Sequence, residues 1–119
     1  MSSGHHTIHE AARVYIAGPM TGLPAFNYPA FHAAAATLRQ AGYVVENPAE
    51  NEPPPRVTWQ GWMRLGIVQM MRCDAVLLLP GWHKSEGARI EHALARQLGL
   101  HVADHPGELP PPAAARGAA

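Results

Sequence analysis

The chain holds one cysteine, Cys73, among 119 residues. No internal disulfide framework can form from it. An excess of either charge is also missing, because nine Lys and Arg balance nine Asp and Glu. Binding to a phosphate backbone usually needs a basic surface, so a nucleic-acid polymer is excluded as the main partner. A small anionic ligand is not excluded, since backbone amides and one or two cations suffice to hold it. No apolar run approaches the roughly 20 residues that span a bilayer. Met1 to Glu10 lacks the apolar core of a signal peptide. These absences set the expectation of a soluble protein in a reducing, cytoplasmic setting, without a membrane partner. No internal repeat is visible, and the length suits one domain with one core.

What is present divides the chain into three stretches. Residues 1–12 are polar and His-rich and are expected to be flexible. Residues 106–119, with Pro110-Pro111-Pro112 and Ala113-Ala114-Ala115, lack a core pattern and read as a disordered tail. The folded domain is therefore expected over residues 13–105.

Within it, short apolar runs alternate with helical stretches. Strands are expected at Arg13–Ala17, Tyr43–Val45, Ala75–Leu79 and His101–Ala103. Helices are expected from about Tyr28 to Ala41, from Thr58 to Arg72 and from Ser85 to Leu98. Asn27 is the candidate cap of the first, Pro29 fits its first turn, and Gly42 stops it. Strand alternating with helix implies an α/β fold with a parallel sheet and right-handed crossovers. Ligands of such sheets bind beyond the carboxyl ends of the strands. Those ends carry Gly18-Pro19-Met20-Thr21-Gly22, Asn47-Pro48, Pro80-Gly81-Trp82 and Asp104.

Several of these residues carry two readings. The Gly18–Gly22 loop lacks the Gly-Lys-Ser/Thr ending of a P-loop and the Rossmann glycine spacing. It is a tight turn, or it turns its amides to a sugar or phosphate. Ser85 reads as a helix N-cap, and the amides after it as an anion site. Glu91 lies in the second turn of the same helix, facing the mouth of the sheet or solvent. Gly87 and Ala88 leave space between it and the loop. Trp82 stacks on a planar base or caps the core. Trp59, Trp62, Met63, Met70 and Met71 make the second helix apolar and read as core or subunit contact. His5/His9 and His101/His105 have i, i+4 spacing, but neither pair falls on an expected helix, so no metal site is expected. Asp74 opens the third strand at the far end and reads as structural.

Val14-Tyr15-Ile16-Ala17-Gly18-Pro19-Met20-Thr21-Gly22, Asn27-Tyr28-Pro29-Ala30-Phe31 and Gly42-Tyr43-Val44-Val45-Glu46-Asn47-Pro48-Ala49-Glu50 resemble the small bacterial and phage proteins called DUF4406. So do Cys73-Asp74-Ala75-Val76, Leu79-Pro80-Gly81-Trp82 and the Ser85–Glu91 segment. That family is similar to nucleoside 2-deoxyribosyltransferases and to 2'-deoxynucleoside 5'-phosphate N-hydrolases. The resemblance implies a flavodoxin-like three-layer sandwich with four or five parallel strands, in the order 2-1-3-4-5, and a homodimer or higher homo-oligomer.

It also implies chemistry. The nucleophilic glutamate falls on Glu91 and the aromatic residue of the first strand on Tyr15. The loop facing sugar or phosphate falls on Gly18, Pro19, Met20, Thr21 and Gly22, with Gly87 between the nucleophile and Ser85. Serine at position 85 matches the enzymes that meet a 5'-phosphate. Asn47 and Trp82 complete the expected substrate-binding set. The implied ligand is a nucleotide or nucleoside, with no metal and no organic cofactor. One position departs. Gly66 in Met63-Arg64-Leu65-Gly66 stands where relatives carry an aspartate that assists the base or sugar. Activity is then weak, or supplied by Glu46, Glu50 or His83, or replaced by nucleotide binding without turnover.

Overall fold

A computed structural model describes residues 13–112. The expectations for residues 1–12, with His5 and His9, and for 113–119 lie outside the described residues. Among those described, four strands form one all-parallel sheet: β1 (Arg13–Ala17), β2 (Val44–Glu46), β3 (Ala75–Leu78) and β4 (His101–Ala103), in the order β2-β1-β3-β4. Helix α1 (Tyr28–Gln40) covers one face; α2 (Trp59–Met70) and α3 (Glu86–Gln97) are on the other. This is the flavodoxin-like three-layer sandwich, with four strands. No helix among the described residues is long and apolar enough to cross a membrane.

The strand pleat sorts β1 between two cores. Val14 and Ile16 join Phe31, Ala35 and Leu38 of α1. Tyr15 and Ala17 face the other way, with Met70, Val76, Leu78 and Ala95. Burial on both faces explains why β1 and β3 read as unbroken apolar runs.

Helix ends fix the strand starts. The Gly42 amide donates to Arg39 O, and the Tyr43 amide to Leu38 O, both at 3.1 Å. With Gly42 at φ 102°, this is a Schellman stop. It uses up the Tyr43 amide, so β2 begins at Val44, one residue later than expected. Gly99 repeats the device at the end of α3, where the Leu100 amide donates to Ala95 O at 2.9 Å.

Two expectations are corrected. Asn27 precedes α1 but does not cap it. It holds φ 60°, and its side-chain amide donates to Pro19 O at 3.0 Å instead. The packed chain also runs past residue 105. Pro106–Glu108 forms one 3-10 turn, and Leu109 enters the α1-side core at 8% exposure. Tyr43 donates its hydroxyl to Pro110 O at 2.5 Å. A single apolar residue among prolines has no periodicity, so this strap leaves no sequence pattern.

Candidate active site

The cavity lies at the carboxyl end of the strands, between the β1 loop, α2 and the start of α3, with a volume of about 930 Å³. β1 supplies Tyr15 through its pleat. α3 supplies Glu91, which shares a helix face with Ala88 and Ala95, all three buried. A carboxylate on an otherwise apolar stripe is thereby carried inward. It is 7% exposed, against 1% for Tyr15.

The two side chains form a buried pair. Tyr15 donates its hydroxyl to Glu91 Oε2 at 2.6 Å. Burial pushes the Glu91 carboxyl up to about 7 from the ordinary 4.5, while the Tyr15 hydrogen bond pulls the other way. Burial, reinforced by the neighbouring carboxylate, holds the Tyr15 phenol well above its ordinary value. Tyr15 therefore stays a donor. Glu91 titrates near neutrality, and its ionised form can act as a nucleophile or general base.

Gly66 closes the pair from the α2 side. A Cβ there would stand 2.7 Å from Tyr15 Oη and 3.0 Å from Glu91 Oε2. The phenol thus occupies the space where a side chain of residue 66 would start. The carboxylate absent from this position cannot be restored without moving Tyr15.

Ser85 is the cap that the sequence indicates. Its Oγ accepts from the Ala88 amide at 3.2 Å, leaving the amides of Glu86 and Gly87 as first-turn donors. Lys84 stands exposed beside it, also in the cavity wall. Gly18, Pro19, Met20, Thr21, Ser85, Gly87, Tyr15 and Glu91 all line the cavity. Gly18 also packs against the end of β3, where a Cβ would meet Leu79 at 2.8 Å.

Three expected residues lie elsewhere. Asn47 is buried as a turn cap, its Oδ1 accepting from the Ala49 amide at 3.0 Å and its amide 3.3 Å from His32. Trp82 packs against the Tyr15-side core and over His92, with ring centroids 4.3 Å apart. Gly22, at φ 83°, turns the loop in open space and is outside the wall. The residues offered as replacement acids are also outside it. Glu46 is paired with Arg13 at 2.9 Å, and Glu50 with Arg39 at 2.7 Å. His83 is exposed and does not line the cavity.

Other wall residues were missed. Trp59, Trp62 and Met63 line the cavity with Gly66 rather than serving only as core or contact surface; Met70 alone of the α2 apolar set is fully buried. Positions 59, 62, 63 and 66 follow i, i+3, i+4, i+7 spacing, which places them on one helix face. That spacing was the available signal. Phe26 and Tyr28 also line the wall, Phe26 on a turn where Ala25, Phe26 and Asn27 all hold positive φ. Asn51 lines it as well, paired through its amide with Gln69 at 2.8 and 3.1 Å. No sequence pattern marks these three. Among the described residues, no group of three or more His, Cys, Asp or Glu could hold a metal ion.

Fold and cavity together define a flavodoxin-like α/β protein with a buried carboxylate–phenol pair at the switch-point cleft. Residues 12–104 match the family model described as Domain of unknown function (DUF4406), and the chain belongs to that family. No curated protein matches the chain.

Proposed function

We propose that the protein cleaves the N-glycosidic bond of a nucleoside 5'-monophosphate, with Glu91 as nucleophile, in the manner of the nucleoside 2-deoxyribosyltransferase-like enzymes. The observation that carries this reading is the Tyr15–Glu91 pair in the wall of a cleft. Attack by the Glu91 carboxylate on the anomeric carbon would expel the base, and water or a second base would take the sugar. Tyr15 would hold one carboxylate oxygen and leave the other for the sugar. The aromatic wall of Trp59, Trp62 and Tyr28 suits a planar base. The α3 N-terminus with Ser85 and Lys84 suits the 5'-phosphate.

The test is base release from a panel of nucleoside 5'-monophosphates, followed by chromatography, with calorimetric binding of the matching nucleosides. Monophosphates should be cleaved and should bind more tightly than nucleosides. Equal affinity would remove the phosphate assignment. Gly66 favours a second reading, a nucleotide-binding protein without turnover. Tight binding with no base released from any nucleotide would select it.

A homodimer is part of the proposal. Trp59 and Val68 on α2, with Val57 just before it and Met71 just after, are exposed apolar side chains. Light scattering at micromolar protein should give twice the chain mass, and a monomer mass would count against the contact.

A further inference from the structure

Resting on the N-glycosidase reading above, we propose that the preferred substrates are nucleotides whose base carries a fixed positive charge, such as N-ribosyl pyridinium or N7-alkylpurine nucleotides. Departure of a neutral base leaves an anion on the ring nitrogen unless a proton is delivered. A positioned acid supplies that proton and typically contributes about 10²–10⁴-fold. Among the described residues the wall holds five titratable side chains: Tyr15, Tyr28, Lys84, Glu86 and Glu91. The Tyr15 proton is committed to Glu91. Lys84 and Glu86 are exposed at the start of α3, on the phosphate side, and Tyr28, whose ring packs edge-on against His32, is the one other phenol of the wall, which the pH profile below tests as an acid. On α2, the helix whose side chains face the base region, the position next to the pair is Gly66, where no side chain fits. Glu46, Glu50 and His83 lie outside the wall, so they do not replace it.

A cationic base removes the need for the acid. A Glu91 oxygen bonds to the anomeric carbon, the bond from that carbon to the ring nitrogen breaks, and its electron pair neutralises the ring charge. The base leaves neutral with no proton transferred. Water then hydrolyses the glycosyl ester, giving the sugar phosphate, the Glu91 carboxylate and one released proton. The wall suits a cationic ring: Trp59 and Trp62 offer aromatic faces, and Glu91 and Glu86 outnumber Lys84. The same carboxylate that attacks would also attract the substrate.

The experiment compares GMP and dGMP with their N7-methyl derivatives, which differ by one fixed charge, and adds nicotinamide mononucleotide. Base release by the full chain and by Glu91→Gln is followed by chromatography across pH. Release from a cationic member about 10²-fold or more faster than from its neutral partner, lost in Glu91→Gln, is the expected result. With nicotinamide mononucleotide, whose ring charge does not titrate, the rate should rise through about pH 7 with Glu91 ionisation and show no falling limb. A smaller ratio, or a falling limb with nicotinamide mononucleotide, which marks an acid in use, overturns this substrate class and leaves the N-glycosidase reading standing. No release from any of the five nucleotides overturns both.

Discussion

At Glu91, burial and chemistry oppose each other. Its folded value of about 7 lies above the ordinary 4.5, because burial disfavours the charged form. The folded state therefore binds a proton that the unfolded chain has released between those values. Stability is full below about 4.5 and falls as pH rises through about 7, by about 3 kcal/mol. Glu91→Gln carries no such titration. Its stability relative to wild type should improve by about 3 kcal/mol between about pH 4 and about pH 8, measured by urea unfolding. Tyr15→Phe removes the hydrogen bond that favours the carboxylate, so the Glu91 titration should move up, as followed by carboxyl NMR. Gly66→Ala gains about 1 kcal/mol of helix propensity but drives a methyl against Tyr15 Oη. Overpacking of this kind costs about 1–3 kcal/mol. Net destabilisation is expected, and Gly66→Asp should lower any turnover rather than raise it. A stability gain in Gly66→Ala would mean that Tyr15 is not against α2.

At the scale of elements, most of the fold was legible. Glycine stops and apolar runs located all three helices and all four strands to within two residues. The misses came where one backbone group serves two elements, as the Tyr43 amide serves the α1 stop and so delays β2. Site legibility was narrower. Ser85 was readable as a cap from its place at the start of a helix, whereas Glu91 stayed open between the mouth of the sheet and solvent until packing buried it. The α2 wall was hidden because tryptophan and methionine look alike as core or as cavity lining. Asn51 and Phe26 reach the cavity through irregular backbone that has no period, and Tyr28 from the first residue of α1. Ser85→Ala should cost about 1 kcal/mol through the lost cap. If α3 also holds the phosphate, the same variant should narrow the preference for monophosphates over nucleosides in calorimetry.

For the molecule as a whole, α1 is the sole α-helix among the described residues on its face of the four-stranded sheet, and the 106–112 strap adds Leu109 to the core there. Leu109→Ala should cost about 2 kcal/mol, the low end for a buried leucine, in urea unfolding. An unchanged midpoint would show that the strap contributes nothing to the core. The other face, closed by α2 and α3, holds the second core and the Tyr15–Glu91 pair on which the proposed chemistry rests. The most direct test of that chemistry is base release by wild type and by Glu91→Gln at about pH 8, where the wild-type carboxyl is ionised. If Glu91 is the nucleophile, the variant binds nucleotide with unchanged affinity and loses at least about 10³-fold in base release. Turnover in the variant equal to wild type would contradict it.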